Sequence, residues 1–114
     1  MSADVVGPVQ RQLDAYNARD LEAFVAQYAE DVKVYRLPEA KPSLVGKQAL
    51  SDHYRMNRFN LPTLHAELVN RMVLGNKVID HERITGVRDE PFEIAVVYEV
   101  AGDRIAAVWT FAAQ

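Results

Sequence analysis

Cysteine is absent from the 114 residues of this sequence. Disulfide bonds, thiol nucleophiles and zinc sites with thiolate ligands are therefore excluded. Long apolar segments are absent as well, since no run approaches the roughly 20 residues that cross a bilayer. The first residues, MSADVVGPVQRQ, lack the apolar core of a signal peptide. We therefore expect a cytoplasmic protein.

Clusters of basic residues are also missing. The chain has 13 lysines and arginines against 16 acidic residues, and the basic residues are scattered along it. Nucleic acids and anionic membranes bind concentrated positive charge, so we expect neither as a partner. Apolar residues make up 49% of the chain and charged residues 25%. This composition is typical of a soluble globular protein, and the length suits one domain, 1–114, with a single core.

The most informative stretch is NKVIDHERITG, residues 76–86, which lies between two turn signals. Residues 77–85 are predicted to form a strand, whose alternate side chains point to opposite faces. One face carries Val78, Asp80, Glu82 and Ile84. Two carboxylates on a face that points into a fold must be solvated, paired or protonated. The direction of this face therefore decides most of the functional interpretation.

Three helices are predicted before the later strands. Apolar residues at helical spacing predict the first helix from near Gly7 to Ala18. Asp20 is a good N-cap for a second, short helix that ends near residues 30–31. The third helix is predicted to begin near Lys47, and its helical pattern ends before Pro62.

Five strands are predicted, at residues 32–37, 64–74, 77–85, 91–100 and 104–111, with a surface loop at 39–47. The last four are joined by short connections and therefore form an antiparallel meander. The long apolar run in the fourth of the five strands predicts burial on both of its faces. The order ααβαββββ predicts an α+β domain in which three helices cover one face of a curved, mostly antiparallel sheet.

Four segments carry a resemblance to a known family: YNARDLEAFVAQYAEDVKVY, GKQALSDHY, NKVIDHERITG and GDRIAAVWTF. In this order they resemble the nuclear-transport-factor-2-like superfamily, in its SnoaL-like and ketosteroid-isomerase-like branch. The resemblance implies a cone-shaped half-barrel with a pocket between the concave sheet and the helices. It also implies a small-molecule ligand, no cofactor, and a homodimer formed through the outer face of the sheet.

The resemblance further implies which residues line the pocket. It turns the face of the strand at 77–85 that carries Asp80 and Glu82 inward, together with Val78 and Ile84. The other implied lining residues are Gln12, Tyr16, Val34, Arg36, His53, Val96, Val108 and Thr110.

The catalytic residues of well-known members are not reproduced. Ketosteroid isomerase has a tyrosine, a base aspartate and a protonated aspartate where this chain has Gln12, Arg36 and Val96. The Asp-Arg-Asp relay of limonene epoxide hydrolase aligns with Glu82, Ile84 and Thr110, and the paired histidines of scytalone dehydratase have no evident counterpart. The resemblance therefore implies the fold and the pocket, and it supports none of these named activities.

The candidate catalytic residues are His53, Arg36, Asp80 and Glu82. Arg36 could hold one carboxylate ionised in a bidentate pair. The other carboxylate would then have a raised pKa and could act as a general acid or base, with His53 as a second proton carrier. Gln12 or Tyr16 could donate a hydrogen bond to an enolate oxygen. Such a site would serve a cofactor-independent isomerase, cyclase or dehydratase that acts on a small apolar carbonyl compound.

Several alternatives remain open from the sequence. Arg36 and the two acids could form a structural ion network at the pocket mouth. A register shift of one residue would place both acids in solvent. The function could also be that of a non-catalytic ligand-binding or protein-interaction dimer, or the protein could be a purely structural dimer with a vestigial cavity.

The remaining candidate residues receive structural interpretations. No ligand spacing supports a metal site, and His65 and His81 are expected at the surface or at an interface. Arg55 and Arg58 are expected on a solvated helix face. The aromatic residues Phe24, Tyr28, Tyr98, Trp109 and Phe111 are expected in the core or at a dimer interface, with a ligand cage as the alternative.

Overall fold

The computed structural model describes residues 4–113, which form three helices and six strands. In chain order these are α1 (Val6–Ala18), α2 (Leu21–Val25), β1 (Tyr28–Arg36), β2 (Leu44–Val45), α3 (Lys47–Asn57), β3 (His65–Leu74), β4 (Lys77–Thr85), β5 (Phe92–Ala101) and β6 (Arg104–Ala112). No helix within this part of the chain is both long and apolar enough to cross a membrane.

The strands form one open, mixed sheet in the order β2-β1-β6-β5-β4-β3. The last four strands make the predicted antiparallel meander, and β1 joins it by pairing in parallel with β6. The helices pack against one side of this sheet, so the predicted α+β fold with a cone-shaped half-barrel is confirmed.

The beginning of β1 differs from the prediction. The second helix ends at Val25, and the strand already begins at Tyr28, about three residues before the predicted helix end. The reason is tertiary, because Tyr28 is buried and pairs with Ile105 of β6. Helical spacing by itself would place Tyr28 on the apolar face of α2. Instead, its ring packs on Phe24 with centroids 5.1 Å apart.

The predicted loop at 39–47 also contains a short strand. Leu44 and Val45 pair with Val34 and Lys33 of β1, so β2 forms the edge of the sheet. A strand of two residues is too short to show an alternating pattern in the sequence. It is stabilised only by its pairing with the neighbouring strand. The start of α2 follows the prediction, since the Asp20 carboxylate accepts a hydrogen bond from the Ala23 amide at 3.1 Å.

The burial pattern decides the direction of β4. Val78, Asp80, Glu82 and Ile84 are all at most 5% exposed, whereas His81 and Arg83 on the other face are exposed. The alternative with both acids in solvent is therefore wrong. On the inner face of β5, Val96, Tyr98 and Val100 are buried, whereas no residue of the outer face is, so the expectation of burial on both faces is met only in part.

Candidate functional site

A cavity of about 360 Å³ lies between the three helices and the inner face of the sheet. Its wall combines apolar and aromatic side chains with a small number of polar groups. Ten of the twelve residues expected at the site border it: Gln12, Tyr16, Val34, Arg36, His53, Glu82, Ile84, Val96, Val108 and Thr110. Small-molecule sites in proteins commonly have this size and this mixture of surfaces.

Two residues expected at the cavity do not border it. Val78 and Asp80 point inward from β4, but both are completely buried and lie outside the cavity wall. The cavity occupies only part of the inner face, and α1 covers the β3–β4 hairpin end, where Gln10 contacts Arg71. Asp80 is therefore a buried neighbour of the site.

The partner of Asp80 is Arg71, and the expectation that Arg36 pairs with an acid is wrong. Arg71 Nε donates to Asp80 Oδ1 at 2.7 Å, and Nη2 donates to Oδ2 at 2.9 Å. Arg71 Nη1 also donates to Gln10 Oε1 on α1 at 2.8 Å. This bidentate pair fixes the orientation of the carboxylate. The network of Arg36 with both acids at the mouth is thereby excluded.

The sequence did contain a signal for Arg71. Gly75 and Asn76 form a two-residue turn, which places Leu74 opposite Lys77 and therefore Arg71 opposite Asp80. Opposed residues of an antiparallel pair point to the same face of the sheet. A bulge between Leu68 and Asn70 then shifts the register by one residue.

Glu82 is the only carboxyl group in the cavity wall among the described residues. It is 5% exposed, and its Oε2 atom has no hydrogen-bond partner in residues 4–113. Burial raises the pKa of Glu82 to about 7, the negative charge of Asp80 adds to this effect, and Arg71 opposes it. The group therefore exists in both protonation states near neutral pH and can accept or donate a proton.

Four phenol groups also line the cavity: those of Tyr16, Tyr28, Tyr54 and Tyr98. Burial is the main cause that raises the pKa of each phenol above its usual value, so all four remain protonated hydrogen-bond donors. Sequence reasoning named only Tyr16 among them as a donor. Alternation along β5 could have found Tyr98, because it lies on the same face as Val96.

Gln12 has a different role from the one expected. Its Nε2 donates to Tyr98 Oη at 3.0 Å, and its Oε1 accepts from Tyr28 Oη at 3.3 Å. The amide therefore holds two phenols in place. Since Tyr98 Oη accepts this bond, its own proton remains available for a ligand.

His53 lies in the cavity wall on α3, apart from the acids. Burial lowers its pKa, and the nearby charges of Arg36 and Arg58 lower it further. Within residues 4–113 no hydrogen bond joins His53 to Asp80 or Glu82; its Nδ1 faces the Asn57 amide nitrogen at 3.3 Å. The four candidate catalytic residues thus do not form one connected cluster.

Two arginines of the cavity wall were missed. Arg58, expected in solvent, follows the last residue of α3 and borders the cavity, while Arg55 is exposed as predicted. Arg88 lies in the β4–β5 connection, and its guanidinium stacks 3.9 Å from the centroid of the Phe92 ring. No periodic pattern marks a loop residue such as Arg88, so only the folded chain shows its position.

The aromatic residues divide between the two sides of the sheet. Phe24, Tyr28 and Tyr98 are buried in the core, as expected. Trp109 stacks on Tyr35 with centroids 5.5 Å apart, a pairing between neighbouring strands β6 and β1.

Both histidines expected at the surface are exposed. His65 lies at the start of β3, and His81 lies on the outer face of β4. Across the described chain no three His, Asp or Glu residues are grouped as metal ligands.

Comparisons with solved structures agree with this architecture. An uncharacterised cystatin-fold protein from Novosphingobium aromaticivorans is 22% identical with a TM-score of 0.84, over 96% of this chain and 98% of the other. A SnoaL-like protein of unknown function from Burkholderia thailandensis is 22% identical with a TM-score of 0.78, over 92% and 90% of the two chains. A candidate ketosteroid isomerase from Kribbella flavida is 21% identical with a TM-score of 0.81, over 96% and 78%.

These similarities show the fold alone, and no curated protein matches the sequence. The sequence pattern of the SnoaL-like domain, however, matches residues 9–108, which is most of the chain. The matched range contains most of α1, all of α2, α3 and β1 to β5, and the first half of β6. The chain belongs to the SnoaL-like domain family.

Proposed function

We propose that the cavity binds a small, largely apolar carbonyl compound and that Glu82 moves a proton on it without a cofactor. In the first step the Glu82 carboxylate takes a proton from the carbon beside the carbonyl, which leaves an enolate. Where the compound has a neighbouring carbon–carbon double bond, the enolate is conjugated with it; Glu82 then returns the proton to the far carbon, and the double bond moves beside the carbonyl. In a dehydration it would return the proton to a departing hydroxyl group instead.

One observation carries this proposal. Glu82 Oε2 is buried, faces no hydrogen-bond donor in the described chain, and belongs to a side chain in the cavity wall. A buried carboxyl oxygen without a partner costs stability, so it is expected where a ligand supplies the partner. A pKa near the working pH is also the value that favours general acid–base catalysis.

The groups around Glu82 suit a reaction in which this residue first accepts a proton and then donates it. A neutral phenol such as Tyr98 can stabilise the negative oxygen of an enolate through a hydrogen bond. Asp80, held by Arg71, raises the proton affinity of Glu82 from a buried position. The name of the candidate isomerase of similar fold is consistent with chemistry of this class.

The direct test is deuterium exchange. Small ketones, for example cyclohexanone and cyclohex-2-enone, would be incubated with the protein in D₂O, and deuterium beside the carbonyl would be followed by proton NMR. We expect exchange above background whose rate rises with pH through about 7, because the carboxylate is the base. Glu82→Gln should abolish this excess while the circular dichroism spectrum stays unchanged.

The matched control is Glu67→Gln, the same substitution at an exposed position of β3. Exchange in the Glu67 variant should equal that of the unmodified protein. Equal exchange in the Glu82 variant and the unmodified protein would refute the assignment of Glu82. Ligand binding without exchange in any variant would instead indicate a non-catalytic binding protein that uses the same cavity.

We also propose that the protein is a homodimer that uses the outer face of the sheet. This face carries half-buried apolar side chains, including Ile79, Val97 and the stacked pair of Tyr35 and Trp109. Apolar surface of this kind is stabilised when a second copy covers it.

A further inference from the structure

We propose that the ligand of this cavity carries a carboxylate, which Arg36, Arg58 and Arg88 bind at the mouth while its carbonyl end reaches Glu82. The inference rests on the proposed function and adds to it the substrate class: a small apolar oxo acid. A neutral ketone would satisfy Glu82 and the phenols, but it would leave the three arginines without a role.

The charge of the cavity wall is the first argument. Three guanidinium groups border the cavity, whereas the described part of its wall has a single carboxyl group, that of Glu82. Glu82 is partly protonated near neutral pH, so the interior is positive overall. A cleft lined by charge of one sign concentrates ligands of the opposite sign and speeds their association.

No acid within the described chain neutralises these three charges. Neither Arg36, Arg58 nor Arg88 forms an ion pair with any acid in residues 4–113. Arg58 Nη1 donates to the backbone oxygen of the preceding residue at 2.8 Å, and Arg88 stacks on a ring. Arg71 and Arg55, by contrast, each have an aspartate partner.

The three arginines reach the cavity from different parts of the chain. Arg36 ends β1, Arg58 follows α3, and Arg88 belongs to the β4–β5 connection, so three separate elements bring arginines to one cavity. Arg36 and Arg88 are exposed and Arg58 is partly exposed, whereas Glu82 is almost completely buried. This gradient places the positive groups at the opening and the proton-transfer group inside.

The chemistry of the guanidinium group favours a carboxylate. Its planar set of N–H donors matches the two oxygens of a carboxylate, and the resulting hydrogen bonds are about twice as strong as neutral ones. A ligand anchored in this way would present its apolar body to the aromatic wall. Its carbonyl would then lie near Glu82 and the phenols.

The test compares 3-oxocyclohexane-1-carboxylate with its methyl ester, by titration calorimetry on the full-length protein. We expect the carboxylate to bind about tenfold more tightly than the ester. The preference should shrink when salt is raised from about 0.01 M to about 1 M, because the screening length falls from about 30 Å to about 3 Å.

Single substitutions locate the binding groups. Arg36→Gln, Arg58→Gln and Arg88→Gln should each weaken binding of the carboxylate several-fold and leave binding of the ester unchanged. The matched control is Arg83→Gln, which removes an exposed arginine from the outer face of β4 and should change neither. Glu82→Gln should retain the preference for the carboxylate, because the arginines are still present.

Each outcome decides between the two proposals. Equal affinity for carboxylate and ester overturns this inference and leaves the proposed function standing. A preference that survives in all three arginine variants also overturns it. If inorganic phosphate competes more strongly than the carboxylate, the carboxylate assignment is wrong. The protein could also bind neither compound and still catalyse Glu82-dependent exchange on neutral ketones. That result would refute the assignment of an oxo acid substrate and leave the proposed function standing.

Discussion

Replacing Glu82 by glutamine should make the folded protein more stable at alkaline pH. The pKa of Glu82 is raised from 4.5 to about 7 in the folded protein, mainly by burial. Between these two values the folded chain holds a proton that the unfolded chain releases. Stability therefore falls as pH rises from about 4.5 to about 7, and this group adds no further change above that range.

The size of the effect follows from the two pKa values. The gap between 4.5 and about 7 corresponds to about 3 kcal/mol at 1.36 kcal/mol for each tenfold change in proton affinity. The glutamine side chain of the variant would be neutral at every pH and would avoid this cost. At a typical unfolding entropy per residue, a chain of 114 residues would gain roughly 12 °C in melting temperature.

Urea unfolding between pH 4 and pH 8.5 measures this difference directly. We expect the variant and the unmodified protein to have equal free energies of unfolding near pH 4. At pH 8 the free energy of unfolding of the variant should be higher by up to about 3 kcal/mol. Glu67→Gln, on the exposed face of β3, should follow the unmodified protein throughout. If the Glu82 variant gains nothing at pH 8, Glu82 is not desolvated, and its proposed role as a base loses its physical basis.

Three further outcomes test the fold and the assembly. Arg71→Met should cost about 3–5 kcal/mol because it leaves a buried carboxylate without its partner, and adding Asp80→Asn should restore part of that loss in urea unfolding; a double variant no more stable than the single one would contradict this. Gly86→Ala should lower the melting temperature more than Gly75→Ala, since both have positive φ but only at Gly86 would a Cβ overlap the backbone of Thr63; equal losses would show that the overlap is relieved. Light scattering at micromolar concentration should give about twice the 12.9 kDa mass of one chain, and a monomer mass would rule out the proposed dimer.

The form of the site balances stability against reactivity. A buried glutamate without a hydrogen-bond partner is unfavourable for folding, whereas the same isolation gives it a pKa suited to proton transfer. The cost is local, because Asp80 next to it is fully paired with Arg71. Arg71 thus pairs with Asp80, whereas Glu82 can gain or lose a proton near neutral pH.

The sequence by itself determined those features that depend on neighbouring residues. Alternation in 77–85 predicted β4 and the residues that share each of its faces, short connections predicted the meander, and Asp20 marked the start of α2. Each of these follows from spacing or from a single side chain, so no distant part of the chain is needed. The register of the β3–β4 hairpin belongs to the same class, because a two-residue turn sets it.

Tertiary structure alone decided the features that join distant residues. The early start of β1 depends on pairing with β6, and β2 exists only because β1 lies beside it. The arginines at the cavity mouth come from a strand end, a helix end and a loop. The sequence likewise could not predict which of the two carboxyl groups, Asp80 or Glu82, has the raised pKa. Only the structure shows that both are buried and that Arg71 pairs with Asp80 alone. The local sequence pattern predicts which side chains share a face of a strand. The burial of a side chain and its protonation state depend on all the residues that pack around that side chain.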